Sequence, residues 1–353
     1  MQYIFLTRLC FQYHSMAINE FGQLYCWGGN NLNQCGLEND STAVYPIPKL
    51  VKTLATKQIV QIACGQYHSL ALTNSGELWS FGSNIYGNCG LGYTSEKVTK
   101  PTLVKSLAGI PIAFLACGGN HSFAISKSGA VFGWGKNLFG QIGVNDNISK
   151  NYPTQLKTLR SIGVRYIACG DDFSVFLTQD GGILTCGNGS FGQLGHGTCS
   201  NEILPRMVIE LMGSTVSQIS CGRRHTLTFV PSRKKIYGFG MSAKGQLGKI
   251  INKSSLPQIV HGPWIKNLTT TDDTDKIMDT QTVIRRIFSG GDYCLVSLVE
   301  TETIEPDDYR SHSKETQIWF LTTDLAKICS NVKVHETLDL VWMSIIWICF
   351  KCY

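Results

Sequence analysis

The chain has 353 residues, and charged residues make up only 16% of them against a usual ~25%. A formal net charge of +6, near-zero mean hydropathy and only 10 prolines exclude a disordered polyelectrolyte and collagen-like or proline-rich sequence. Fourteen cysteines over this length do not make a disulfide scaffold, and residues 1–11 carry Arg8 inside their apolar run with no small-residue cleavage site. Reduced thiols and a cytosolic setting are therefore expected, with the nucleus as a second compartment.

Taken in chain order, one block recurs. It is degraded at Cys10-Phe11-Gln12-Tyr13-His14-Ser15 and complete at Ala63-Cys64-Gly65-Gln66-Tyr67-His68-Ser69. It returns at Ala116-Cys117-Gly118-Gly119-Asn120-His121-Ser122, Ala168-Cys169-Gly170-Asp171-Asp172-Phe173-Ser174 and Ser220-Cys221-Gly222-Arg223-Arg224-His225-Thr226. Positions 14, 68, 121, 173 and 225 are 54, 53, 52 and 52 residues apart. A second block follows each copy, as Trp27-Gly28, Phe81-Gly82, Trp134-Gly135, Cys186-Gly187 and Phe239-Gly240. Eight residues beyond each of these glycines stands another, at Gly36, Gly90, Gly143, Gly195 and Gly248. The last three copies end in Gly-Gln-Ile/Leu-Gly.

Within a repeat, residues 59–63, 69–73 and 77–81 are short apolar runs, and Asn74-Ser75-Gly76 is a hairpin turn between two of them. No window of about 15 residues within 1–266 keeps a helical period. Short antiparallel strands repeating every ~50 residues predict an all-β fold of propeller blades, whose radial packing limits exposed edges. The glycine after each aromatic or Cys is expected to admit a close backbone approach. Those of the Gly-x-x-Gly turn are expected at positive φ, where Asn33 of the first repeat is the next best residue.

Cys-Gly-x-x-His-Ser/Thr, then Trp/Phe-Gly and Gly-Gln-Leu-Gly, resembles the repeat of the regulator of chromosome condensation family over residues 10–298. Within it, Lys105-Ser106-Leu107-Ala108-Gly109-Ile110-Pro111, residues 128–135, Glu210-Leu211-Met212-Gly213-Ser214 and residues 287–292 are similar to the small HERC ubiquitin ligases. The resemblance implies a seven-bladed propeller followed, in HERC proteins, by a catalytic HECT domain. This sequence holds five full repeats in residues 1–266 and a polar insertion at 267–286, beginning Asn267-Leu268-Thr269-Thr270-Thr271-Asp272-Asp273. A partial repeat at 287–299 is expected to supply closing strands, and 300–353 is a divergent tail without a HECT domain. The expectation is an incomplete propeller, from a fragment or a truncated form.

Candidate chemistry is sparse. His14, His68, His121 and His225 fall one per blade and cannot converge on a metal; they read as structural, hydrogen-bonded residues. Cys64, Cys117, Cys169 and Cys221 share one repeat position and read as small buried hydrophobes. Cys349-Phe350-Lys351-Cys352 has no partner pair for zinc. Gly187-Asn188-Gly189-Ser190-Phe191-Gly192 matches a dinucleotide pattern by spelling only, since no helix follows it. Cys329, Cys349 and Cys352 have no HECT-like surroundings, so no catalytic residue, cofactor or metal site is assigned.

Residues 1–268 hold 23 Lys+Arg against 11 Asp+Glu, whereas residues 269–353 hold 8 against 14. The basic clusters Arg223-Arg224 and Arg233-Lys234-Lys235 are the candidate partner-binding residues, for an acidic protein face. Without a basic tail or interleaved aromatics, nucleic acid is not expected as a partner. The uncharged run at 340–350 is shorter than the ~20 residues of a membrane helix, so no span is expected. The reading is a protein-interaction propeller resembling the substrate-recruiting or regulatory part of a HERC-type ligase. The alternatives are a small-GTPase regulator of the nucleotide-exchange type and a general scaffold.

Overall fold

Once per repeat a tight turn reverses the chain between two apolar runs, so each repeat becomes a meander of neighbouring strands. The computed structural model describes residues 13–37, 43–262, 264, 281–301, 316–320 and 333–334, and in it the meanders form six antiparallel sheets. The first holds β1 (His14–Ile18), β2 (Leu24–Gly29) and β3 (Val44–Leu50). The second runs β4 (Ile59–Cys64), β5 (His68–Thr73), β6 (Leu78–Asn84) and β7 (Ser95–Leu103). The third is β8 (Ile112–Cys117), β9 (His121–Ser126), β10 (Val131–Gly135) and β11 (Lys150–Gln155). The fourth is β12 (Val164–Cys169), β13 (Phe173–Thr178), β14 (Ile183–Gly187) and β15 (Glu202–Met207). The fifth is β16 (Gln218–Cys221), β17 (His225–Val230), β18 (Lys235–Met241) and β19 (Lys253–Ile259). The sixth is β20 (Gln281–Ser289), β21 (Cys294–Thr301), β22 (Thr316–Phe320) and β23 (Lys333–Val334).

Every sheet is ordered as the chain runs, and the first strands β4, β8, β12, β16 and β20 pack successively on one another. They are the inner strands of a radial array. The outer strands carry Pro48, Pro101, Pro153, Pro205 and Pro257 at one repeat position. Proline has no N–H to give a ladder, so it suits an edge and would break a central strand. After each outer strand of the first four sheets a single 3₁₀ turn follows, at Lys52–Leu54, Lys105–Leu107, Lys157–Leu159 and Ile209–Leu211. Its leucine is buried every time.

The apolar cores lie between sheets. Phe123 and Ile125 of the third sheet pack with Val164, Phe176 and Leu184 of the fourth in one buried cluster, and Phe123 meets Phe176 edge-on at 5.5 Å. A fully buried aromatic of this kind contributes about 1.5–3 kcal/mol through removal from water. Trp134 is wholly buried, and its Nε1–H donates to the Asn88 carbonyl of the preceding sheet at 2.8 Å.

The motif glycines also serve these joints. A Cβ on Gly82, at φ +101°, would stand 2.4 Å from the Tyr67 carbonyl oxygen, so only glycine permits that backbone approach. Asn33 adopts φ 59°, the left-handed conformation expected for the leading turn position.

The described sheets do not close into a ring. In the sixth sheet β20 begins inside the stretch read as the 267–286 insertion, and β21 takes as its neighbour β22, which comes from the 300–353 stretch. Residues 267–280 and the remainder of 302–353 lie outside the described residues, and with them Cys329, Cys349 and Cys352. So do residues 1–12, including Cys10.

Candidate interaction faces and the axial channel

The Gly-x-x-His loops sit at one end of the strands and the hairpin turns at the other, which gives the array two faces. On the loop face the backbones are joined blade to blade: Gln66 N–H donates to Gly119 O at 2.9 Å, Asp171 N–H to Arg223 O at 3.1 Å and Arg223 N–H to Gly291 O at 3.0 Å.

Beneath these loops lies the motif histidine. A Cβ on Gly118 would stand 2.2 Å from His121 Cε1, so the motif glycine clears the space the imidazole occupies. Each imidazole reaches the next blade: His14 Nε2 to Ser69 Oγ at 2.7 Å, His68 to Ser122 at 2.8 Å and His121 to Ser174 at 2.9 Å. Each of these hydroxyls donates in turn to a turn carbonyl of the blade it is reached from, Ser69 to Gln34 O, Ser122 to Asn88 O and Ser174 to Gln141 O. The motif is thus an inter-blade joint. Burial pushes His14, His68 and His121 down to about 3 and His225 to about 4, so all four are neutral near pH 7.

At the last joint the partner of His225 Nε2 is Cys294 Sγ, 3.0 Å away. A Cys–His contact is the geometry of an activated nucleophile. Here the two residues are 0% and 1% exposed, and burial raises the thiol to about 12. Both groups stay neutral and out of solvent, so this pair is the same joint with sulfur in place of oxygen.

The candidate basic residues divide between the faces. Arg223 and Arg224 precede β17 on the loop face, where Arg223 Nε lies 3.2 Å from Asp171 Oδ2 and the Arg224 guanidinium stacks 4.6 Å from the Phe191 ring. Lys136–Asp172 and Lys244–Asp292, both at 2.9 Å, repeat this blade-to-blade pairing. Burial holds Asp171 above the usual carboxylate range, against the pull of Arg223. Arg233 and Lys234 form the turn after β17, and Lys235 opens β18, so these three stand on the hairpin face. Six strand residues, about 20 Å, separate the two clusters.

A channel of about 490 Å³ runs along the inner strands, between Ala63 and Cys64 on one side and residues 285–291 on the other. Arg165, Arg285 and Arg286 line it together with Phe114 and Tyr166. Sequence reasoning missed these arginines. The available signal was their repeat positions: where Arg165 and Arg285 stand the other blades have Val60, Ala113 and Ser217, and where Arg286 stands they have Gln61, Phe114, Tyr166 and Gln218. Among the described residues no group of three His, Cys, Asp or Glu could hold a metal, and no helix is long and apolar enough to cross a membrane. Among the described residues no disulfide forms, and of their cysteines only Cys199 is exposed.

Radial four-stranded sheets joined by repeated buried contacts, with loops gathered on one face, define a β-propeller. The chain belongs to the family of the regulator of chromosome condensation (RCC1) repeat, whose sequence pattern matches residues 22–72, 75–125, 128–177 and 180–229. It is 45% identical over 302 residues to the rat (Rattus norvegicus) probable E3 ubiquitin-protein ligase HERC4, covering 84% of this chain and 27% of that protein. The chain thus spans about a quarter of that relative's length. Among solved structures, human WBSCR16 is similar with a TM-score of 0.68 and 27% identity, over 84% of this chain and 73% of that one. Prp20p from Saccharomyces cerevisiae shares the fold, with a TM-score of 0.66 and 22% identity over 82% and 68% of the two chains.

Proposed function

We propose that this chain is the protein-recruiting propeller of a HERC-type ubiquitin ligase, acting in the cytosol with the nucleus as a second compartment. It presents a surface and performs no bond chemistry of its own. The observation that carries this reading is the 45% identity to HERC4, which extends over 84% of the chain. The mechanism is complementarity. The inter-blade joints hold the loops rigid, so their side chains meet a partner with little ordering cost. An excess of the purified chain is expected to compete with the full ligase for its substrate and lower ubiquitin transfer. Incubated with ubiquitin and its activating and conjugating enzymes, the chain alone should form no thioester. A reducible ubiquitin adduct on it would refute the non-catalytic role.

The second reading, regulation of a small GTPase, has one observation in its favour. The fold is shared with Prp20p, whose structure was described with its binding to Gsp1p and histones. That reading requires the chain to accelerate nucleotide release from a Ran-like GTPase. An unchanged release rate leaves recruitment as the function.

A further inference from the structure

The inner strands start alike, and their charged residues fall at two positions. The second residue is Val60, Ala113, Arg165, Ser217 or Arg285, and the third is Gln61, Phe114, Tyr166, Gln218 or Arg286. A β-bulge recurs at this step, between Ile59 and Gln61, Ile112 and Phe114, Val164 and Tyr166, and Ile284 and Arg286. Bulges re-aim side chains, and here they fall where the strands line the channel.

Three arginines occupy these positions at one level of the channel. Arg165 bridges its own sheet to the fifth, donating from Nε to Thr178 O of β13 at 3.2 Å and from Nη2 to Val216 O and Ser217 O, just before β16, at 3.3 and 3.1 Å. Gln218 continues the level into the sixth sheet, where its Nε2 donates to Arg285 O at 2.9 Å and its Oε1 accepts from Ile287 N–H at 3.1 Å. Among the described residues, no carboxylate lines the channel, and neither Arg285 nor Arg286 forms an ion pair.

Gathered like charges repel one another, and an anion between them removes that cost. The planar guanidinium fork matches phosphate oxygens two at a time. The volume of about 490 Å³ lies within the ~300–1,000 Å³ typical of small-molecule sites. The Phe114 and Tyr166 rings, 4.7 Å apart, supply an apolar wall beside the charges. We propose that this end of the axial channel binds a small ligand carrying two or more phosphate groups, one reached from Arg165 and another from Arg285 and Arg286.

The test uses the full chain at roughly 0.15 M salt, where exposed charges are screened beyond ~8 Å. Calorimetric titration with inositol hexakisphosphate and with pyrophosphate is expected to show saturable binding. The double variant Arg285→Gln/Arg286→Gln should weaken it about tenfold or more while keeping the thermal midpoint of the unliganded chain. Arg286→Lys, which keeps the charge and loses the fork, should fall between. Lys97→Gln/Lys100→Gln removes the same charge from the exposed outer strand β7 and should leave affinity unchanged. Co-sedimentation with vesicles containing phosphatidylinositol bisphosphate, added to soluble binding, assigns the source to a lipid headgroup; soluble binding alone assigns it to a free phosphate. No saturable binding of either soluble probe, or equal loss in the two double variants, overturns the proposal.

Discussion

Four imidazoles held neutral in the core make the array sensitive to mild acid. Folded, His14, His68 and His121 titrate near 3 and His225 near 4, whereas an unfolded histidine titrates near 6.5. Between those values the unfolded chain binds more protons than the folded one. Stability is therefore fully present above about pH 6.5 and is lost as pH falls, by about 1.4 kcal/mol per pH unit for each histidine. At pH 5 each imidazole has withdrawn about 2 kcal/mol, and the four together roughly 8 kcal/mol. A whole domain typically has about 5–15 kcal/mol. Asp171, raised by burial, acts in the opposite sense but is a single group.

Urea unfolding followed by tryptophan fluorescence at pH 7, 6 and 5 measures this loss. The natural control is Phe173, which fills the histidine position of the fourth blade and is fully buried there. His68→Phe, which copies that blade, should remove one titrating group, so the variant loses about 2 kcal/mol less than the parent between pH 7 and pH 5. Equal stability at pH 7 and pH 5, or a His68→Phe variant with the parental slope, would refute the claim that buried neutral imidazoles dominate the acid response.

Ser122→Ala removes the hydroxyl that joins His68 to the Asn88 carbonyl; the carbonyl keeps Trp134 Nε1–H and the buried imidazole is left unpaired, a loss of about 1–3 kcal/mol by urea denaturation. Phe123→Ala should cost about 3–5 kcal/mol, read as a lower thermal midpoint, because the ring is packed between the third and fourth sheets. Gly118→Ala forces the His121 ring from its place, whereas an added Cβ on Gly129, at φ +84°, meets nothing; the first variant should lose soluble expression and the second only about 1 kcal/mol. Of the described cysteines, Cys199 alone should react with a thiol reagent under native conditions, as mapped on peptides by mass spectrometry.

Legibility in the sequence followed the joints. Gly118, His121 and Ser122 recur because the same buried contact is rebuilt at successive blades, and a residue constrained repeatedly becomes visible by sliding the chain along itself. The outer strands were not legible. Lys150–Gln155 is polar and contains Pro153, because an edge strand faces solvent and donates few ladder bonds. β22 carries neither motif block and could not be found by a search for repeats. Arg223 and Lys234 looked like neighbouring basic clusters, but the intervening strand sends them to opposite faces. The channel arginines needed knowledge that one edge of each sheet faces the axis, which no spacing supplies.

The joints also redistribute importance within the motif. The histidine drew attention first, yet the fourth blade replaces it with Phe173, and Thr226 across that joint still donates to Gln193 O at 3.0 Å. Hydroxyl-to-carbonyl bonds therefore span four consecutive joints, with or without an imidazole behind them. An aromatic ring of either kind fills the space above the motif glycine, and the hydroxyl meets the turn carbonyl, which at the second joint also accepts from Trp134 Nε1–H and at the third from Cys186 Sγ. At the fourth joint, loss of the hydroxyl strands the Gln193 carbonyl, whereas at the second the Asn88 carbonyl keeps Trp134 and the His68 imidazole is the group left unpaired. Thr226→Val and Ser122→Ala should accordingly cost about the same, roughly 1–3 kcal/mol each, since each strands one buried group. Losses under about 0.5 kcal/mol in both would place the weight on the packing of the rings rather than on the hydroxyl.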